Sequence, residues 1–213
     1  ARYAGRVDEL EPSADLGSFV IEKEDTVVSF AAGSATAGQF SDTAGVRAKV
    51  TDDDGHALSG VDLVFELADG ASVPATSTTD ADGIATTSLS LQGKAGSYDL
   101  IARYAESDYY NLGQTTSAFT IGKEDAKTVL TVAGSSSSRT FSAKVTEIDG
   151  GTGLAGVVVQ FLQNGKSVGT ATTNANGVAT LASSPKYNKK DVFEAVFAGN
   201  AYYLRAGDSY QEK

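Results

Sequence analysis

Two copies of one pattern, roughly 100 residues apart, run through the 213-residue chain, and self-similarity of this kind constrains the fold before any single motif does. Phe19-Val20-Ile21-Glu22-Lys23-Glu24-Asp25 returns as Phe119-Thr120-Ile121-Gly122-Lys123-Glu124-Asp125, and Ala48-Lys49-Val50-Thr51 returns as Ala143-Lys144-Val145-Thr146. Leu58-Ser59-Gly60-Val61 through Phe65 matches Leu154-Ala155-Gly156-Val157 through Phe161. The segment from Thr78 to Thr86, which contains Asp80-Ala81-Asp82-Gly83, matches that from Thr172 to Thr180, which contains Asn174-Ala175-Asn176-Gly177. Ala102-Arg103-Tyr104-Ala105, followed by Tyr109-Tyr110, matches Ala195-Val196-Phe197-Ala198, followed by Tyr202-Tyr203. Ala1-Arg2-Tyr3-Ala4 reproduces the start of that last block, so a third, partial repeat is expected at the beginning of the chain.

Within each copy the apolar positions alternate. In Val61 to Leu67 every odd position is apolar, and Tyr98, Leu100, Ala102 and Tyr104 share one face, the period of half-buried strands. Asp53-Asp54-Gly55, Asp82-Gly83 and Asn176-Gly177 are turn formers, because Gly accepts positive φ and Asp or Asn bonds its neighbouring backbone. About seven short strands per repeat, separated by such turns, predict an all-β chain of tandem β-sandwiches. With no Cys, each sandwich must be held by its core alone. A net charge of −10 repels phosphate backbones, so no nucleic-acid partner is expected, and no apolar run approaches the roughly 20 residues of a membrane span.

The "L-x-G-V-x-x-x-F" strand, the "T-[DN]-x-[DN]-G-[IV]-A-T" turn and the "A-x-[YF]-A" strand before a Tyr-Tyr pair resemble the bacterial immunoglobulin-like tandem repeats of invasin- and intimin-type surface proteins. That resemblance implies tandem immunoglobulin-like β-sandwiches in a secreted or cell-surface protein. It further implies a non-catalytic role as a stalk or spacer whose partners are neighbouring repeats. The alternatives are a glycan-binding adhesin module and the accessory domains of a secreted polysaccharide-degrading enzyme.

The expected boundaries are a remnant of a preceding repeat, its strands F and G plus linker, over 1–25; domain one over 26–122; a linker over 123–125; and domain two over 126–213. Domain two has no counterpart of Ala118-Phe119-Thr120-Ile121, which predicts that its last strand is missing. A sandwich open at that edge is a template for strand addition, so Ser18, Phe19, Val20, Ile21 and Glu22 are candidate donors from another copy, assembling a head-to-tail extracellular filament.

Few residues suggest chemistry. His56 is the single histidine, and no nucleophile-base constellation forms around it in the sequence, so no enzyme activity is expected. No cofactor is expected beyond a candidate Ca2+, for which Asp52, Asp53, Asp54, Asp80 and Asp82 offer oxygens, although turn chemistry accounts for the same residues. Lys49 and Lys144 fall out of phase with the apolar face, which disfavours a self-formed Lys-Asn crosslink. Tyr109, Tyr110, Tyr202 and Tyr203 are candidates for stacking on sugars, against the alternative that one ring of each pair packs at the corner of its sandwich. The acidic segments Glu22-Lys23-Glu24-Asp25 and Glu124-Asp125 are expected to be solvated hinges.

Overall fold

The computed structural model describes residues 20–135, 138–183, 188 and 190–211. The expected Ala1-Arg2-Tyr3-Ala4 repeat, and the donor candidates Ser18 and Phe19, lie outside the described residues. The described part is all-β and forms two immunoglobulin-like sandwiches, as the alternating pattern predicts.

In the first sandwich, β1 (Thr26–Phe30), β3 (Thr43–Asp52) and β6 (Ile84–Ser90) make one sheet in the order β1-β3-β6. The facing sheet runs β2-β8-β7-β4-β5, from β2 (Ala37–Gln39), β8 (Gly113–Gly122), β7 (Gly96–Tyr104), β4 (Asp62–Leu67) and β5 (Ala75–Thr78). Alternate residues meet between the sheets: Ala44, Val46, Ala48 and Val50 from β3 face Leu63, Phe65 and Leu67 from β4, Leu100, Ala102 and Tyr104 from β7, and Phe119 and Ile121 from β8. Burying each large apolar side chain contributes about 1.5–3 kcal/mol. After β1 the chain crosses to the other sheet, where β2 pairs in parallel with the end of β8, Ala37 opposite Thr120. Gly38 leaves room for the buried Leu91, whose Cδ1 would lie 2.5 Å from a Cβ at that position.

The second sandwich has sheets β9-β10-β13 and β12-β11-β14-β15, from β9 (Ala126–Ser135), β10 (Ser138–Glu147), β11 (Val158–Gln163), β12 (Lys166–Thr172), β13 (Val178–Ser183), β14 (Val192–Phe197) and β15 (Ala206–Gln211). Three phenylalanines form its centre, with Phe141 5.9 Å from Phe161 and 5.3 Å from Phe193, ring centre to ring centre. In the first sandwich two phenylalanines, Phe65 and Phe119, share the centre with Leu63, Leu67, Leu89 and Leu100.

The expectation that this sandwich lacks its last strand is corrected by β15. Phe197 pairs with Ala206 and Val192 with Gln211, antiparallel, in the register by which Tyr104 pairs with Gly113 and Asp99 with Ala118 in the first sandwich. β15 is therefore the counterpart of the opening stretch of β8. Phe119 and Ile121 lie beyond that stretch, so their motif was the wrong marker for it. Backbone pairing needs no particular apolar motif, and β15 contributes Ala206 and Tyr210 to the core instead. The edge proposed to accept a donor strand is thus occupied by the chain's own residues over 206–211. Val20 and Ile21 are 81% and 84% exposed and Glu22 is exposed, and with the β14 edge already paired by β15 the described residues give strand complementation no support.

Candidate functional site at the domain junction

The link between the sandwiches is not a solvated hinge. Glu124 is 1% exposed, and its backbone is held on both sides by the loop after β14: Glu124 N donates to Tyr202 O at 2.8 Å, and Leu204 N donates to Glu124 O at 2.9 Å. Domain one grips the same segment, with Phe40 N donating to Gly122 O at 3.0 Å and Gln39 Nε2 to Lys123 O at 3.1 Å.

The aromatic pair closes over this segment. Asn200 Oδ1 accepts from Tyr202 N and Tyr203 N, both at 2.8 Å, which fixes the two rings. Phe40 meets both, its ring centre 4.7 Å from Tyr202 and 5.5 Å from Tyr203, the latter edge to face. Ala95 N donates to Ala201 O at 3.0 Å on the flank.

The acidic side of the junction gathers residues far apart in the chain. Asp42 leads into β3, Glu124 lies in the linker and Asp149 in the turn after β10, yet one carboxylate oxygen from each lies within 4.8 Å of the others. Glu147 stands beside them, its Oε1 accepting from Ser41 Oγ at 2.5 Å with Tyr203 Oη at 3.5 Å. Burial first, then the charges of Asp42, Asp149 and Glu147, outweigh the hydrogen bond from Asp125 N and push the Glu124 carboxyl up. Burial and the Glu147 carboxylate push the Tyr203 phenol to about 12. Sequence reading placed Glu124 in a solvated hinge and missed Asp42 and Phe40, because nothing in linear spacing joins the three. The available signal was the recurrence of Glu-Asp at 24–25 and 124–125.

The other candidates separate. Asp52 Oδ1 accepts from His56 N at 2.7 Å, and Oδ2 lies 3.1 Å from His56 Nδ1. Burial alone would raise Asp52, but its bonds from His56 and Gly55 and the neighbouring imidazole leave it lowered. Asp53 and Asp54 are exposed. Asp80 Oδ1 accepts from Asp82 N and Ile84 N, both at 2.9 Å, and Asn174 Oδ1 does the same for Asn176 N and Val178 N at 2.9 and 3.1 Å. A neutral amide performs the same task in the second sandwich, so turn formation accounts for Asp80.

Tyr109 and Tyr110 repeat the aromatic geometry one domain earlier. Ser107 Oγ replaces Asn200 Oδ1 as acceptor for both backbone amides, Glu24 N donates to Tyr109 O at 2.9 Å, and Asn111 N donates to Glu24 O at 2.8 Å. Tyr109 is 76% exposed, where Tyr202 is 38% exposed beneath Phe40.

Residues 26–120 match the bacterial Ig-like domain family, group 1. No curated protein sequence matches the chain. Among solved structures it is similar to invasin, a bacterial integrin-binding protein, at 17% identity and TM-score 0.57, covering 88% of this chain and 39% of that one. It is similar to a tetra-tandem repeat from the extending region of a large adhesion protein at 17% identity and TM-score 0.51, covering 89% and 49%. The adhesin InvE of Yersinia pseudotuberculosis aligns at 14% identity and TM-score 0.48, over 88% and 58%. The chain thus spans between two-fifths and three-fifths of the length of these three. At such identities the likeness is one of fold, that of tandem Ig-like repeats as bacterial adhesins carry them.

Proposed function

Residues 26–120 being a bacterial Ig-like domain of group 1, we propose that the chain is a stalk segment of a bacterial cell-surface protein, a non-catalytic spacer whose task is to hold consecutive repeats in fixed relation. The junction carries this reading. A linker meant only to tether would be solvated and polar, whereas here Glu124 is buried, its backbone is paired on both sides, and Phe40 of one domain meets Tyr202 and Tyr203 of the next. The same fastening stands at Glu24, Tyr109 and Asn111, so each repeat carries the parts that receive its predecessor. The exposure of Tyr109 is then that of a half-junction, which favours a neighbouring repeat over a sugar as its partner. On this reading the partners of each domain are neighbouring repeats of the same protein.

The test is tumbling in solution. A single compact domain of 213 residues would have a radius of gyration of about 17 Å. A rigid stalk segment is expected to exceed that clearly by X-ray scattering while 15N relaxation gives one anisotropic correlation time for both sandwiches. Two independent correlation times, each that of a lone domain, would refute the spacer reading. Specific retention on a glycan panel, lost on Tyr109→Ala, would replace it with the carbohydrate-binding one.

A further inference from the structure

The carboxylates at the junction are arranged for something the spacer role does not require. Asp42, Glu124 and Asp149 bring three acidic oxygens within 4.8 Å of one another, and Glu147 adds a fourth charge nearby. Among the described residues no Lys, Arg or His pairs with any of them; the ion pairs there join Lys23 to Glu106, His56 to Asp52 and Arg103 to Glu66. The second observation is independent of this clustering. Glu124 is 1% exposed, its Oε1 accepts from Asp125 N at 3.0 Å, and its Oε2 is buried with no hydrogen-bond partner at all. A buried carboxylate oxygen without a partner is costly, and native structures avoid it unless water, an ion or a proton satisfies it.

We propose that the junction is a Ca2+ site in which Asp42, Glu124 and Asp149 supply the protein oxygens, so that one ion fastens domain one, the linker and domain two together. The donor set is all carboxylate, the preference of a hard cation, and no imidazole or thiolate lies among the three to select a softer metal. Asp149 is exposed and Asp42 half-buried, which leaves one side open for the waters that complete six to eight ligands around Ca2+. Because the three ligands come from two domains and the segment between them, the ion couples to the relative position of the sandwiches, an effect no ion in a surface turn would have. The site stands on junction geometry and does not depend on what the intact protein does.

Calorimetric titration of the whole chain with CaCl2 is the test, read alongside the melting temperature in EDTA and in Ca2+. One saturable site is expected, in the roughly 0.1–1 mM range of extracellular Ca2+ modules, weakened at least tenfold in Glu124→Gln and in Asp149→Asn and unchanged in Asp80→Asn. Glu124→Gln removes a charge without a partner, so it should fold and in EDTA melt no lower than the natural sequence, while losing the rise that Ca2+ gives the latter. Absence of saturable binding up to about 10 mM, well beyond that range, overturns the proposal. Binding that survives both junction variants, or that disappears in Asp80→Asn, overturns it equally, and the buried carboxyl is then satisfied by a proton instead.

Discussion

Thr79 and Thr173 occupy the same buried place in the two sandwiches, immediately before the turn at Asp80 and Asn174. Each hydroxyl donates to a leucine carbonyl, Leu58 O at 2.7 Å and Leu154 O at 2.5 Å, and accepts from a valine amide, Val61 N at 3.1 Å and Val157 N at 3.0 Å. That explains why the Leu-x-Gly-Val and Thr-x-x-x-Gly blocks are the clearest parts of the internal repeat: they are two sides of one fastening, with Gly60 and Gly156 both at φ 74° between them. Thr→Val keeps the shape and removes the hydroxyl, leaving a buried amide and a buried carbonyl short of a partner, so each substitution should cost its own domain about 1–3 kcal/mol in urea unfolding. An unchanged midpoint in both variants would show that water replaces the hydroxyl. The turn residues beside these threonines were readable from their chemistry, since Asp80 and Asn174 bond the backbone as such residues do. The threonine's task was not readable, because its partners lie far away in sequence.

Strands announced themselves where one face is buried throughout. β4 and β7 alternate cleanly, and Leu63, Phe65, Leu67, Leu100 and Ala102 lie where period two puts them. β15 and β2 did not, for opposite reasons. β15 carries small and polar residues that pair by backbone alone, while β2 is three residues long and is held by parallel pairing to β8. The hairpin joining β11 to β12 shows what an element gains from a well-placed charge. Asn164 and Gly165 sit at φ 50° and 74°, the two positive values of a tight two-residue turn. Asp191, immediately before β14, accepts from Asn164 Nδ2 at 2.8 Å, Gln163 Nε2 at 2.7 Å and Asn188 N at 2.9 Å. The Asn164 bond foremost, then Asn188 N, outweigh the effect of burial and hold its carboxyl below the ordinary aspartate value of 3.8. A folded-state value below the unfolded one means that the stabilisation is complete above about 3.8 and is lost as pH falls through the lower folded value. Asp191→Asn should therefore lower the melting temperature of domain two at pH 6 and flatten its decline below pH 4. A decline as steep as that of the natural sequence would assign the acid sensitivity to other carboxylates.

At the scale of the whole molecule the question is whether two stable sandwiches behave as one body, and the answer lies in contacts that neither repeat makes alone. Tyr202 separates this from domain stability, because its ring meets Phe40 without belonging to the core of domain two, where Tyr203 does pack. An aromatic pair of this kind contributes about 0.5–1.5 kcal/mol beyond the area it buries, which corresponds to roughly a two- to twelvefold change in the ratio of docked to undocked junctions. Tyr202→Ala should leave the urea midpoint of each domain nearly where it was and yet let the two sandwiches tumble more independently, seen as a divergence of their 15N correlation times. Phe40→Ala removes the ring contacts to both Tyr202 and Tyr203 and should widen that divergence, at some cost to domain one, against whose core Phe40 also packs. If both variants keep one shared correlation time, the backbone bonds about Glu124 together with Gln39 and Ser41 suffice to dock the domains, and the rings serve only to exclude water from them. If the divergence appears with either variant, the rigidity of the segment resides in a side-chain contact that a single substitution can release, and the order of tightness along an array can be set one junction at a time.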